Sequence, residues 1–284
     1  MTARDARSVS RAFDALGWAF TVSSDHAPLV EHVTTLYAGL GVVVPGGDVH
    51  SYRIERVARD DYALDLDGEA LGTGDDPSRF VATIVHDVNQ HAIETTPLLA
   101  AHAGGVVGAR GAVVMPAHME AGKTTLTAGL VRAGFGYLSD EAVAFDWDTL
   151  DITAYAKPLS IDPGAWELFP QLEPHAAIGG EGYKASQWQV PPDAVRPGAV
   201  VPTARARHVV FPQYVPGADT RLVAIGGAEA VVELAKNTFH FSSHGRRALD
   251  ALARLVTSVE CHRLTVGDLE AAVATISDLA GVPA

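Results

Sequence analysis

The stretch GAVVMPAHMEAGKTTLTAGLVRAG, residues 111–134, decides the fold. Its apolar beginning, GAVVM, predicts a buried strand. Its second half predicts a helix, because Leu126, Leu130 and Val131 recur on one side and Gly134 is a typical stop signal. A strand that runs through a short loop into a helix indicates an α/β protein.

The loop between this strand and helix fits the looser form of a phosphate-binding motif, in which alanine replaces the first glycine. The pattern is Ala117, four further residues, then Gly122, Lys123 and Thr124. Backbone N–H groups at such a helix start face phosphate oxygens, the lysine reaches the β- and γ-phosphates, and the threonine ligates Mg²⁺. The expected nucleotide-binding residues are Ala117, His118, Met119, Glu120, Ala121, Gly122, Lys123, Thr124 and Thr125.

The alternative is an ordinary helix start that carries a solvated lysine. Residues 117–121 contain no glycine, and Glu120 adds negative charge where an anion would bind. The sequence alone leaves both interpretations open.

Two adjacent acids, Asp140 and Glu141, follow the helix at the end of the apolar stretch GYLS. Magnesium bound to a nucleotide needs oxygen ligands, and transfer to a hydroxyl needs a base. The alternative is a turn between strands with two solvated acids. The position after the phosphate-binding motif favours a functional pair.

Composition restricts the partners and the location. The 284 residues carry 34 acidic and 21 basic side chains, a formal charge of −13, and no basic run, which argues against nucleic acid. The chain has a single cysteine, Cys261, and we expect neither a signal peptide nor a membrane span. These features predict a cytoplasmic protein.

The chain is predicted to contain two domains. Residues 1–96 read as a small α/β module of unknown role, with an antiparallel hairpin from SYRIERV and YALDLDG and an amphipathic helix over 77–94. Residues 97–284 form the second predicted domain, including the Pro/Gly-rich segment 160–202, read as ordered loops punctuated by Trp166, Phe169, Tyr183 and Trp188. Three helices are expected near the end of the chain.

The segment HAGGVVGARGAVVMPAHMEAGK, residues 102–123, resembles without a gap a segment of HPr kinase/phosphorylase. There a histidine opens a strand, a glycine-containing turn follows, and a second strand runs into the phosphate loop. Asp140 and Glu141 match that family's paired acids. The later residues are more similar to the broad group of HPr-kinase-related P-loop kinases of bacteria, so a mixed sheet with flanking helices is implied.

This resemblance implies an ATP-dependent phosphotransferase that acts on a hydroxyl, with ATP and Mg²⁺ as cofactors. In this implied site Lys123 and Thr124 hold phosphate and Mg²⁺, Asp140 accepts the acceptor's proton or binds the metal, Glu141 supports the metal, and His102 tunes Asp140. Weaker candidates for contacts with the transferred phosphate, with surface cations as the alternative, are Lys157, Arg205 and Arg207.

The resemblance also has limits. The family's glycine-rich loop is replaced here by residues 118–121, and the signature of the true enzyme that is tied to its reverse reaction is absent. We therefore do not expect an HPr kinase proper. A nucleotide-binding regulatory or scaffold protein without phosphoryl transfer stays as an alternative, as does a binding module that merely retains the fold. Acceptor identity and homo-oligomer formation stay open.

Overall fold

The computed structural model describes residues 7–43, 47–58, 61–118, 121–174, 182 and 186–282. The chain divides into two compact units. The first unit comprises Met1–Thr95 and Lys157–Pro191, and the second comprises Thr96–Ala156 and Pro192–Ala284. The mixture of helices and mixed sheets confirms the α/β fold class.

The elements follow one another in four groups along the chain. Up to residue 95 they are β1 (Ser8–Val9), β2 (Phe13–Ala15), β3 (Trp18–Ser24), α1 (Ala27–Leu36), β4 (Gly41–Val42), β5 (Val49–Arg56), β6 (Tyr62–Leu66), β7 (Glu69–Gly74) and α2 (Phe80–Thr95). Between 96 and 156 they are β8 (Leu99–Gly108), β9 (Gly111–Pro116), α3 (Lys123–Arg132), β10 (Gly136–Ser139), β11 (Ala142–Phe145) and β12 (Asp151–Thr153).

Between 157 and 191 the strands are β13 (Leu159–Ile161) and β14 (Trp188–Val190), with 3₁₀ turns at Pro163–Leu168 and Pro170–Leu172. From 192 onward the elements are α4 (Pro192–Val195), β15 (Thr203–Tyr214), β16 (Arg221–Ala224), α5 (Gly227–Lys236), α6 (Phe241–His244), α7 (Arg246–Ser258), β17 (Glu260–Val266) and α8 (Leu269–Ala280).

The first unit is built on a sheet in which β3 and β5 pair in parallel and β5, β6 and β7 pair antiparallel. The predicted hairpin is β5–β6 and is therefore confirmed. The predicted amphipathic helix is α2, preceded by a 3₁₀ turn that Asp76 caps by accepting a hydrogen bond from the Ser78 amide. The apolar face of α2 is buried, as the residues Val81, Ile84 and Val88 show.

The domain prediction needs one correction. The boundary near residue 96 coincides with a division in the structure, but residues 157–191 do not continue the second domain. They group with the first unit, where β13 and β14 form an antiparallel pair. Of the aromatic residues predicted to order the loops, Phe169 is buried and Trp166 stacks on Trp188, whereas Tyr183 lies outside the described residues.

The second unit contains an eight-stranded mixed sheet among its described residues, in which β9 lies between β8 and β15. Strands β9, β15 and β17 are parallel, so their carboxyl ends share one edge of the sheet. The loop that follows Pro116 therefore leaves the sheet at the same edge at which β15 ends at Tyr214. The carboxyl edge of a parallel sheet is the usual place for a ligand.

Helix α3 lies close to β8 because β8 carries a glycine at the contact. A Cβ atom on Gly104 would come within 2.5 Å of Thr127 Oγ1 and 3.2 Å of Met115 Cε. On the other face of the sheet, Val209 and Phe211 pack with the buried residues Leu234 of α5 and Leu252 of α7. The sheet that carries the loop is thus packed between α3 on one face and α5 and α7 on the other.

Candidate functional site

The phosphate-loop motif has the predicted strand, loop and helix. Strand β9 ends at Pro116, Gly122 is the N-cap of α3 with φ at +79°, and the helix begins at Lys123. A positive φ suits glycine, since a Cβ atom disfavours this conformation. The first amides of α3 have no partners within the helix, so they can donate to an anion. Met119 and Glu120 lie outside the described residues.

Lys123 is not the solvated lysine of an ordinary helix start. It is 6% exposed, and its Nζ donates hydrogen bonds to the carbonyl oxygens of Ala117 (2.8 Å) and His118 (2.7 Å). Burial lowers the pKa of this amine, and the nearby carboxylates of Glu141 and Asp140 oppose the shift. A buried ammonium that caps the carbonyl groups of its own loop is positioned beside any anion bound at the helix start.

Thr124, Asp140 and Tyr137 form a hydrogen-bonded chain beside the helix start. Thr124 Oγ1 donates to Asp140 Oδ2 at 3.0 Å, and the Tyr137 hydroxyl donates to Asp140 Oδ1 at 2.9 Å. Asp140 is 1% exposed. Burial raises the pKa of Tyr137 well above its ordinary value, and the charge of Asp140 raises it further, so the phenol stays a donor. The arrangement places a carboxylate oxygen and a hydroxyl oxygen side by side.

The Glu141 side chain lies beside His102. Ser139 Oγ accepts hydrogen bonds from the amides of Glu141 (3.2 Å) and Ala142 (3.0 Å), which shapes the turn between β10 and β11. From this turn Glu141 Oε1 lies 3.4 Å from His102 Nε2. The resemblance implied that His102 tunes Asp140. The contact seen for the His102 ring is the one with Glu141, and the tuning of Asp140 by His102 stays a prediction.

The backbone of His102 ties three parts of the site together. Its N–H donates to the Asn237 carbonyl oxygen at 2.7 Å, and its carbonyl oxygen accepts from the Ala117 amide at 3.3 Å. It also pairs with Ala142 across the β8–β11 ladder. The loop, the acidic turn and the end of α5 are therefore fixed relative to one another.

Two clefts flank the loop. One, of about 390 Å³, is lined by residues on both sides of the carboxyl edge, among them Ala117, His118, Gln213, Tyr214 and Asn237. The other, of about 350 Å³, is lined by His102, His118, Lys236, Asn237, Thr238 and Phe239. The second cleft is therefore lined by His102, whose ring contacts Glu141.

The two arginines among the weaker phosphate candidates do not join this site. Arg205 forms an ion pair with Asp151 at 2.6 Å on the neighbouring strand β12. Ala206 pairs with Ala112, four residues before Pro116, so its neighbours Arg205 and Arg207 lie about 10–17 Å along the strand from the loop end. Lys157 belongs to the first unit, where its Nζ donates to the Pro158 carbonyl oxygen.

Sequence reasoning missed two residues of the site. Tyr137 is one aromatic residue within an apolar strand and looks like a core residue, although its spacing of three from Asp140 is a weak signal. Asn237 follows α5, its side-chain Nδ2 donates to the Glu233 carbonyl oxygen, and its buried Oδ1 has no hydrogen-bond partner among the described residues.

The residues present fit magnesium bound as part of a nucleotide. Within the described ranges no cluster of three or more His, Cys, Asp or Glu side chains could hold a metal ion by itself. Thr124 and Asp140 supply two oxygen ligands, and Mg²⁺ typically takes one or two protein ligands, with phosphate oxygens and waters completing its shell.

Comparisons with known proteins add no family. No protein-family model matches the chain. No curated protein matches it either. Among the described residues, none of the helices combines the length and the apolar character that a bilayer crossing requires.

Proposed function

We propose that this protein is an HPr-kinase-like P-loop phosphotransferase that moves the γ-phosphoryl group of ATP to a hydroxyl of a protein, a peptide or a small molecule. The observation that carries the proposal is the hydrogen bond of 3.0 Å between Thr124 Oγ1 and Asp140 Oδ2 at the start of α3. P-loop enzymes hold Mg²⁺ with this combination, a hydroxyl from the loop and an aspartate from a neighbouring strand.

The phosphates of the nucleotide bind at the start of α3. The amides of Lys123 and Thr124 are among the helix's first N–H groups, which have no partner within the helix. The Lys123 ammonium exchanges its contacts with the Ala117 and His118 carbonyl oxygens for phosphate oxygens. Since the ammonium is already desolvated, it interacts strongly with the incoming charge.

Thr124 and Asp140 would hold the magnesium ion that accompanies the nucleotide. When bound, Mg²⁺ neutralises charge on the phosphates and orients the γ-phosphoryl group for in-line transfer. Tyr137 keeps the Asp140 carboxylate in position through its hydrogen bond to Oδ1. This arrangement favours the metal-binding role of Asp140 over the role of base.

Glu141 is the general base. Its carboxylate takes the proton of the acceptor hydroxyl as the oxygen attacks the γ-phosphorus, and His102 orients it through the pair at 3.4 Å. Glu141 is partly exposed, with 29% of its side chain accessible, so an acceptor can reach it. The cleft beside His102 that includes Lys236 is the place for the acceptor.

A regulatory protein that binds nucleotide without transfer is the competing function, and the glycine-poor loop 117–121 is the feature that favours it. An ATP-consuming reaction and the single cysteine are in keeping with a cytoplasmic protein.

Transfer of labelled γ-phosphate to a panel of hydroxyl-bearing peptides and metabolites tests the proposal. The wild type should label at least one acceptor. Glu141→Gln should bind Mg-ATP normally and lose transfer by about 10²–10⁴-fold, whereas His102→Gln should cause a smaller loss. The matched control is Glu270→Gln, which changes an exposed acid of α8. Tight Mg-ATP binding without transfer to any acceptor would favour the regulatory function.

A further inference from the structure

A large cleft of the second unit lies at the edge of the sheet opposite to the phosphate loop. It has a volume of about 850 Å³ and opens between α8 and the amino ends of the parallel strands. Its lining consists of Arg110, Arg207, His208, Leu222, Glu260, Thr275, Asp278 and Leu279. His208 pairs with Val113, three residues before Pro116, so the cleft lies about 10 Å along the strands from the end of β9, where the loop begins.

A buried histidine with unsatisfied ring nitrogens lines this cleft. His208 is 4% exposed, and neither Nδ1 nor Nε2 has a hydrogen-bond partner among the described residues. Glu260 Oε2 lies 3.3 Å from Nδ1, within ion-pair distance but without hydrogen-bond geometry. His262 is its diagonal neighbour on the same face of the sheet, and the buried Nδ1 of that ring also has no hydrogen-bond partner in the described part of the chain.

The His208 ring, when neutral, needs both a hydrogen-bond donor and a hydrogen-bond acceptor. Burial lowers the pKa of His208; Glu260 opposes the shift, while His262, Arg207 and Arg110 add to it. A neutral imidazole offers one N–H and one lone pair. Leaving both buried without partners is unfavourable, so a ligand that supplies partners gains binding energy there.

The charges around the cleft indicate what kind of ligand fits. The lining carries two guanidinium groups, of Arg110 and Arg207, and two carboxylates, of Glu260 and Asp278. Arg110 Nη1 donates hydrogen bonds to the carbonyl oxygens of Asp278 and Leu279 at the end of α8. A simple anion would meet both carboxylates, whereas a ligand with one positive and one negative group can match both signs.

We propose that this cleft binds a free α-amino acid with an aliphatic side chain. Its carboxylate pairs with Arg207 and with the free donors of Arg110, and its ammonium group pairs with Glu260 and with the acceptor nitrogen of His208. Leu222 and Leu279 provide apolar contact for the side chain. None of these residues belongs to the phosphate-loop site, so the proposal is independent of the proposed kinase activity.

Titration calorimetry with L-leucine as the probe tests this site. Leucine should bind, and Arg207→Gln and Glu260→Gln should each weaken the binding about tenfold or more, because each removes a charge-assisted contact. Both residues are exposed, so the variants should fold. The matched controls Arg246→Gln and Glu270→Gln change exposed charges elsewhere in the unit and should bind leucine as the wild type does.

Two analogues with a single charge test the requirement for both signs. Isovalerate keeps the carboxylate and isoamylamine keeps the amine, and each should bind at least tenfold more weakly than leucine. Lys123→Ala should still bind leucine even if it loses Mg-ATP, which separates this proposal from the kinase proposal. No heat from leucine at millimolar concentration, equal binding of a single-charge analogue, or binding of inorganic phosphate in place of leucine would overturn it.

Discussion

The Thr124 hydroxyl donates to Asp140 Oδ2 across 3.0 Å, and this contact joins the first turn of α3 to the turn that follows β10. The two residues are 16 positions apart. Because Asp140 is 1% exposed, its negative charge is fixed at the helix start and not shared with solvent. A carboxylate oxygen beside a threonine hydroxyl at a helix start suits the proposed magnesium ion, which prefers oxygen ligands.

Asp140→Asn should therefore remove the magnesium dependence of nucleotide binding. The amide nearly keeps the shape and can still hydrogen-bond, but it is a poor ligand for Mg²⁺. Thermal-shift titrations with ATP, with and without Mg²⁺, provide the measurement. Asp250→Asn, on the exposed face of α7, is the control. If magnesium-dependent stabilisation persists in Asp140→Asn while transfer is lost, Asp140 is the base and the role of Glu141 must be revised.

Lys123→Ala should weaken Mg-ATP binding strongly and should also destabilise the unliganded protein. The second effect follows because the buried Nζ makes two charge-assisted hydrogen bonds to loop carbonyl oxygens. Their loss should lower the free energy of unfolding by about 1–3 kcal/mol. Chemical denaturation with and without Mg-ATP measures both effects, with Arg246→Ala as the control. A folded variant that binds Mg-ATP normally would refute the phosphate-loop assignment.

The sequence predicted the strand, loop and helix because each depends on local properties. Apolar runs mark β9 and α3, and Gly122 meets a local need for a positive φ. The directions of Asp140 and Glu141 could not be predicted, because they depend on the turn held by Ser139 and on a bulge between Tyr137 and Ser139. A register shift of one residue turns each following side chain to the opposite face of the sheet and so changes the residues that it contacts.

The grouping of residues 157–191 with the first unit was also beyond local reasoning. Strands β13 and β14 are only three residues long each, and their pairing joins Leu159 to Val190 across a Pro/Gly-rich segment. A short apolar run within such a segment does not indicate which unit its side chains pack against. Tertiary contacts decide the grouping.

Gly104→Ala should destabilise the second unit by about 1–3 kcal/mol, because the new methyl group would overlap Thr127 Oγ1 at 2.5 Å. The double variant with Thr127→Ala should recover part of the loss, since it removes the overlapping oxygen, which has no hydrogen-bond partner among the described residues. Denaturation midpoints of the four proteins in this cycle give the coupling. Gly74→Ala, where a Cβ atom meets nothing within 4 Å, is the control.

The buried histidines of the second unit should make its stability sensitive to acid. Burial lowers the pKa of His208 and of His262 in the folded protein below the ordinary value of 6.5. Between the folded and the ordinary pKa, the unfolded chain binds more protons than the folded one. The free energy of unfolding should therefore rise with pH across this window, and should fall as the pH drops from about 6.5 toward the folded pKa values.

Urea denaturation of the wild type and of His208→Asn between pH 7.5 and 5 measures this effect. The variant cannot take up a proton at this position, so its stability should fall less steeply with acid, even if its stability at pH 7.5 is lower. The comparison of slopes therefore does not depend on the cost of the substitution. The matched control is His244→Asn, which changes a histidine of α6 in the same unit. Equal slopes in all three proteins would show that His208 titrates alike in the folded and unfolded states.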